Sequence, residues 1–346
     1  MASQHVDAAY ITRPVSVAYL TGFRSEPMER LMALAIRPEG ATLIVPALEK
    51  DHAVGAVSDV GVVAWSDGQD PHALVHEALT GAERVAVEKD HLTVRQAELL
   101  QLRHMSDISG EVRRMRSVKT AGELEKLHRA AAITDHTYEE VVRAIRVGQS
   151  ELEVANMITA AIGGAGGTLS FEPLVQFGHH SAVPHHRPAD TRLAPGDLVL
   201  LDFGAAVDGY CADTTRMAVA GEPTREQDEV HRVVRDAHDA AIAAVRAGAA
   251  AGDVDAAARE VIQRAGHGDD FIHRTGHGLG LEAHEDPSLD PGSHTTLEAG
   301  MVCTVEPGIY MQGWGGVRIE DDVLVTHDSY RLLSTLPREA STLAMA

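Results

Sequence analysis

Cysteine is scarce in this chain, positive charge is not in surplus and long apolar runs are absent, and each shortage removes a class of function. Two cysteines, Cys211 and Cys303, cannot build a disulfide framework, and neither sits in a Cys-x-x-Cys pair. A reducing, cytoplasmic setting is the expectation. With 30 Lys and Arg against 51 Asp and Glu, the net charge is -21. No basic surplus exists to neutralise a phosphate backbone, so nucleic acid is not an expected partner. The opening stretch MASQHVDAAYITRP has no basic flank followed by a long apolar run, so neither a signal peptide nor a membrane span is expected. Residues up to Ser109 contain no Gly-rich phosphate loop and no nucleotide fingerprint. What is present is a soluble, globular composition, 44% hydrophobic and 23% charged over 346 residues, long enough for a sizeable core and two domains. Many of the 20 histidines fall between His179 and His294, a clustering suited to metal or proton chemistry.

Apolar runs and turn residues predict the organisation. Strands are expected at Leu31 to Ile36, Ala41 to Val45, Val60 to Trp65 and Arg84 to Val87, with helices at Ala73 to Leu79 and Val94 to Leu102. This reads as a smaller N-terminal α/β domain over residues 1–110, followed by a basic connector from Gly110 to Thr120 and a second domain over 111–346. In the second domain, Thr120-x-x-Glu123, Ser150-x-x-Glu153 and Thr224-x-x-Gln227 open three helices, and Asp253 is expected to cap a fourth that stops at Gly266. Strands near Ser170 to Phe177, Met301 to Tyr310 and Val317 to Val325 alternate with these helices. That alternation indicates an α+β fold rather than a doubly wound sheet.

The chemistry gathers around LVLLDFGAAVDGYCADTTR, Leu198 to Arg216. Asp208-Gly209 is a two-residue turn of the hairpin-closing kind. It would set Asp213 opposite Gly204, with Asp202 diagonally beside it on one sheet face. A buried strand carboxylate requires a cation. On this stretch alone, a metal ligand and a surface acid that is wet or paired to Arg216 both stand. Three further histidines follow in HRTGHGLGLEAH, namely His273, His277 and His284, and each taken alone also fits a buried core histidine. The glycines beside His277 let backbone approach and would leave its imidazole reachable. Glu306 ends the apolar run MVCTV and Glu320 ends GVRI; an Arg318–Glu320 ion pair would be the ordinary explanation of the latter. Four carboxylates and one imidazole together form the oxygen-rich, single-nitrogen shell suited to two divalent ions.

In that order, Asp202, Asp213, His277, Glu306 and Glu320, with the motifs LLDFG, DTTR, GHGLGLEAHE, VEPGIY and GVRIEDD, the chain resembles the pita-bread metallopeptidases. This family contains the Xaa-Pro dipeptidases (prolidases), aminopeptidases P and methionine aminopeptidases. YLTGF and SEPMER also look like the small N-terminal domain of Xaa-Pro dipeptidases. The resemblance implies a C-terminal pita-bread catalytic domain and a cofactor of two divalent ions, Mn2+ first, with Co2+ or Zn2+ as alternatives. It implies hydrolysis of the peptide bond before proline in Xaa-Pro dipeptides by a hydroxide bridging the ions. Asp202 would chelate one ion, His277 would bind the other, and Asp213, Glu306 and Glu320 would help hold both, Glu306 being counted with His185 and His284 among the catalytic groups. His185 matches a substrate-contacting histidine, His284 the one that stabilises the tetrahedral intermediate, and His273 the one lining the proline side. Arg318 matches a substrate-site residue near the metals that orients Glu320 or its neighbours. A homodimer is also implied.

The chain departs from its relatives in two places. Glu285 to Val305 has no Lys or Arg where several relatives carry an arginine for the substrate carboxylate, so Arg24 or Arg30 of the small domain, across a dimer, is the expected replacement. Met28 holds a place where the resembling dipeptidases tend to have histidine. Aminopeptidase P activity on longer peptides is therefore the nearest alternative, and a non-catalytic binding module of the same fold is a further one. Methionine aminopeptidases usually lack such an N-terminal domain, and a metal-free, creatinase-like hydrolase would lack the ligands. His179, His180 and His186 are expected to be solvent-exposed.

Overall fold

The computed structural model describes residues 6–344; the first five residues of MASQHVDAAYITRP lie outside them. The chain divides into two compact units, Met1–Arg116 and Ser117–Ala346.

Among the described residues, the first unit holds a six-stranded sheet in the order Val60–Trp65, Gly40–Pro46, Ala33–Arg37, Ala8–Ile11, Arg84–Val87, His104–Asp107. Two of the expected strands, Val60–Trp65 and Arg84–Val87, match to the residue. Ala8–Ile11 escapes the alternation pattern because all four of its residues are buried, so apolar side chains line both faces. The segment expected as a basic connector is instead a helix, Ser109–Ser117. Arginine is a good helix former, Asp107 accepts a hydrogen bond from the Ser109 backbone N–H at 2.9 Å, and Val112 is buried.

In the second unit the helices Ala121–Ala144, Glu151–Gly164 and Arg225–Ala244 each begin at a complete capping box, as the sequence predicts. Each such cap stabilises its helix by about 1 kcal/mol. The fourth helix, Ala251–Arg264, starts before Asp253, which lies in its first turn. No side chain caps it: the N–H groups of Ala251 and Gly252 donate to the carbonyls of Thr295 and Ser293. A neighbouring loop thus takes over the capping that the sequence assigns to an acid.

The strand Leu198–Phe203 runs through the middle of the unit. Its even-numbered Leu198 and Leu200 pack with Val230, Val234 and Val254 of one helix pair. Its odd-numbered Val199, Leu201 and Phe203 pack with Val141, Val154 and Ile158 of the other. Burying each of these apolar side chains contributes roughly 1.5–3 kcal/mol. By the same alternation Asp202 falls on the even face.

The expected hairpin keeps its register but not its continuity. Asp202 pairs with Thr215, Phe203 with Thr214, Ala206 with Cys211 and Val207 with Tyr210, around Asp208 (φ 48°) and Gly209 (φ 71°). At Gly204 the ribbon bends from one sheet into another: Leu198–Phe203 and Thr214–Ala220 belong to a four-stranded sheet, Ala205–Val207 and Tyr210–Cys211 to a three-stranded one. A Cβ on Gly204 would lie 1.6 Å from the Ala212 carbonyl oxygen, so only glycine fits the crossing. Similar breaks split the strands expected at Met301 to Tyr310 and Val317 to Val325, into Val302–Val305 and Gly308–Met311, and into Gly315–Arg318 and Asp321–Val325.

Arg216 ties the second of these breaks to the core. Its buried guanidinium donates to the carbonyls of Thr215, Glu320, Leu336 and Pro337 and to the Asp321 carboxylate at 2.5 Å. Burial tends to raise the Asp321 pKa, but Arg216 and the nearby His238 and Arg338 hold it below the usual carboxylate value. Removing one partner of a buried ion pair costs about 3–5 kcal/mol. Arg216→Met is therefore expected to lower unfolding stability by that order, measured by denaturant titration; a loss within 1 kcal/mol would show that the network is not integral to the fold.

Candidate metal centre

Three of the five predicted metal ligands sit where a strand breaks. Asp213 lies between Tyr210–Cys211 and Thr214–Ala220, Glu306 follows Val302–Val305, and Glu320 separates Gly315–Arg318 from Asp321–Val325. A break turns a side chain out of the alternating pleat, which lets acids from three ribbons converge. His277 opens a two-residue strand pinned by close backbone approach: a Cβ on Gly276 would meet the Thr304 oxygen at 2.0 Å, and one on Gly278 the Asp286 oxygen at 2.1 Å. The flanking glycines serve that packing. They do not expose the imidazole, which is 3% accessible, contrary to the sequence expectation.

The structure brings these groups together. Single ligand atoms of Asp213, His277 and Glu320 all lie within 4.8 Å of one another. His277 Nε2 is 3.2 Å from Glu306 Oε1 and 3.9 Å from Asp213 Oδ2. Asp202 is buried and pairs with Arg318 rather than with Arg216. Arg318 also donates to the Thr215 hydroxyl at 3.0 Å, and that hydroxyl donates to Glu320 at 2.6 Å, so arginine reaches Glu320 through threonine. Thr304 serves Glu306 in the same way, accepting from the His277 N–H at 3.0 Å and donating to Glu306 Oε1 at 3.2 Å. Asp322, fully buried, accepts from the Asp213 backbone N–H at 3.0 Å.

This arrangement is short of positive charge. Among the described residues, Oδ1 of Asp202 and Oδ1 of Asp213 are buried with no hydrogen-bond partner, an arrangement that costs free energy unless something electropositive faces them. His277 Nδ1 lies 3.1 Å from the Gly278 carbonyl, which makes it the donor and turns the Nε2 lone pair toward carboxylate oxygens. Acceptor then faces acceptor, and a cation fits between them. The titration behaviour agrees. Burial, then the neighbouring acids, push Asp213 and Glu320 well above the usual carboxylate range. Burial also raises Asp202, against the pull of Arg318. Glu306 alone goes down, to about 2: burial opposes its ionisation, but a proton carried on His277 Nε2 when no cation takes that lone pair, together with the Arg318 charge, prevails.

The remaining predicted residues surround this cluster. His284 packs edge-on against His277, ring centroids 4.1 Å apart. Burial, aided by the charges of His277 and Arg274, lowers its pKa to about 4, so it is neutral near pH 7. His273 is half-buried; its Nδ1 donates to the Arg274 carbonyl at 2.6 Å, which leaves Nε2 to accept from the Tyr310 hydroxyl at 2.8 Å. Both ring nitrogens are used within the protein, and burial keeps the ring neutral. His185 is exposed at a loop, near enough to act electrostatically on Asp202, His273 and His284.

Several contributors were not singled out by sequence reasoning. Tyr310 joins Arg318 to His273, accepting from Arg318 Nη1 at 2.9 Å. Asp255 accepts from Thr275 N–H and Oγ1 and grips Arg259 through two 2.9 Å bonds, while Arg259 donates to the carbonyls of Phe271 and His273. Tyr310, Thr215 and Asp322 stand inside the motifs VEPGIY, DTTR and GVRIEDD, and the i,i+4 spacing of Asp255 and Arg259 marks a helical ion pair. One expectation is overturned. His179 is exposed, but His180 and His186 are half-buried and both face the buried Glu151 carboxylate.

Comparison with known proteins agrees with this geometry. The model of metallopeptidase family M24 matches residues 125–327, and that of the creatinase/prolidase N-terminal domain matches residues 1–118. A Staphylococcus aureus (strain USA300) protein named only as an uncharacterized peptidase is 39% identical, over 96% of this chain and 95% of its own. Among solved structures, the Xaa-Pro dipeptidase from Bacillus anthracis is 33% identical with a TM-score of 0.93, covering 99% of this chain and 96% of the other. The X-Pro aminopeptidase from Thermotoga maritima is 32% identical with a TM-score of 0.89, covering 98% of each chain. With its buried acids gathered at three strand breaks, its α+β pita-bread architecture and these matches, the chain belongs to metallopeptidase family M24, with a creatinase/prolidase N-terminal domain before the peptidase domain.

Proposed function

We propose that this chain is a metal-dependent Xaa-Pro dipeptidase, with Asp202, Asp213, His277, Glu306 and Glu320 holding two divalent ions, Mn2+ by preference. The observation that carries the reading is the cluster of buried acids with unpartnered oxygens facing a histidine lone pair. Divalent ions bound there supply the acidification of water and the polarisation of the scissile carbonyl that peptide hydrolysis needs near neutral pH.

The chain's own groups do the rest. Glu306, held ionised, accepts a proton from the attacking water and returns it toward the leaving nitrogen. His284, neutral near pH 7, donates an N–H to the oxygen of the carbonyl as negative charge develops there. His273 has no free nitrogen and offers ring surface, which suits the apolar ring of proline. His185 contacts the substrate from its loop. Arg274, tethered to the Ser288 hydroxyl at 2.7 Å and electrostatically coupled to His284, is a cation that the site itself supplies for a substrate carboxylate. In the N-terminal unit, Arg30 is already committed to Asp67 through bonds of 3.0 and 2.9 Å. A homodimer belongs to the same proposal.

Three measurements test this reading. The first is hydrolysis of Xaa-Pro dipeptides against Xaa-Pro-Xaa tripeptides by the Mn2+-loaded protein, with bound metal quantified. Faster dipeptide cleavage that a chelator abolishes is expected. Faster tripeptide cleavage would move the assignment to aminopeptidase P, a reading supported by the similarity to the X-Pro aminopeptidase, and bound metal without cleavage would move it to a binding module.

The second separates residue roles. His284→Ala should lower kcat by about 100- to 1,000-fold, the scale of losing one oxyanion donor, with KM little changed. Arg274→Met should raise the dipeptide KM at least tenfold, whereas Arg24→Met and Arg30→Met should not; the reverse pattern would return carboxylate recognition to the small domain.

The third concerns pH. Because Asp213 and Glu320 have raised folded pKa values, their contribution to stability is fully present below the ordinary carboxylate range and is lost as pH rises through the raised values. Glu306 acts oppositely, its contribution being lost only as pH falls toward about 2. The chelated protein should therefore show a Tm that falls as pH rises above the ordinary carboxylate range, and added Mn2+ should raise Tm more at the higher pH. A pH-independent metal increment would contradict the charge imbalance described above.

A further inference from the structure

Away from the acidic centre, the second unit holds another group of metal-ligating side chains on different chemistry. Glu151 is the first residue of the helix Glu151–Gly164, and its carboxylate is fully buried. Oε1 lies 2.9 Å from His180 Nδ1 and accepts from the Phe177 backbone N–H at 2.8 Å. Oε2 lies 3.3 Å from His186 Nε2 and accepts from the Ala189 N–H at 3.0 Å. The two imidazoles stack with centroids 3.9 Å apart, and their side chains remain 20% and 24% accessible.

We infer that Glu151, His180 and His186 form a second metal site, one that takes a single borderline divalent ion of the Zn2+ class. Ligand atoms of the three residues all lie within 4.8 Å of one another. His180 Nδ1 lies 2.9 Å from Oε1 and His186 Nε2 3.3 Å from Oε2, so each imidazole presents a nitrogen to its own oxygen of the carboxylate, on which one ion could be held between the three side chains. The backbone N–H groups on both oxygens orient the carboxylate from behind, as the outer shell of a metal site does. The partly accessible imidazole edges give an ion a way in. Two imidazoles and one carboxylate suit Zn2+, whereas the oxygen-rich acidic centre also suits Mn2+, so limiting Zn2+ is expected to reach the histidine site before it displaces Mn2+ from the other.

The ion would also act on the loop. His180 and Phe177 stand at one end of the 178–189 segment, His186 and Ala189 at the other, and His185 lies between them. Gln176 already holds this segment from within, donating to the carbonyls of Pro184 and His186 at 3.2 Å each. A bound ion would tie both ends through one point.

The test uses the full chain loaded with Mn2+, then equilibrated with one equivalent of Zn2+ per chain, desalted, and assayed for both metals by mass spectrometry. Wild type should retain one Zn2+ per chain with its Mn2+ content unchanged, and His180→Gln/His186→Gln should retain none while keeping its Mn2+ and its circular dichroism spectrum. Glu151→Gln should weaken Zn2+ retention at least tenfold; if that variant misfolds, the single variants His180→Gln and His186→Gln provide the same reading. Equal Zn2+ in wild type and the double variant, or Zn2+ uptake only at the expense of Mn2+, would overturn the site and leave the three residues as a hydrogen-bonded clamp.

Discussion

Four carboxylates buried within reach of one guanidinium and one imidazole would repel one another apart, and the second unit is arranged around containing that repulsion. Arg318 neutralises Asp202, the Thr215 and Thr304 hydroxyls each steady one glutamate, and Asp322 fixes the Asp213 backbone. What these contacts leave uncompensated is negative charge directed at a single volume. The candidate site for divalent cations is thus built from a deficit, and the surrounding cores pack tightly around it. Leu198–Phe203, apolar on both faces, ties those cores together, since neither helix pair can shift without unpacking against it.

The cluster also shows why acids from distant sequence positions meet. Strand interiors send side chains alternately up and down, so a regular sheet would disperse them. Interruptions at Asp213, Glu306 and Glu320 free three of the four from that rule, and glycines at 204, 276 and 278 let the ribbons approach closely enough for the freed acids to converge.

Much of this was legible beforehand because the deciding signals are local. Capping boxes announce three helices, Asp208-Gly209 announces the turn and its register, and acids ending apolar runs announce the centre. The parts that were not legible depend on distant partners. The start of Ala251–Arg264 is set by the loop at 293–295, and the strand Ala8–Ile11 is hidden by having two buried faces. The cation opposite Asp202 lies 116 positions away along the chain. The half-buried state of His180 and His186 follows from Glu151, an acid that in sequence looks like an ordinary first-turn helix residue.

Gly204 carries one more implication. The pinch there is made by backbone alone, and the two aspartates stand on either side of it, so their separation is inherited from peptide geometry and owes little to the helices outside. Surface layers of this unit can therefore drift, lengthen or be redesigned while that spacing persists, and a methyl group at this one position would disturb it more than wholesale change elsewhere.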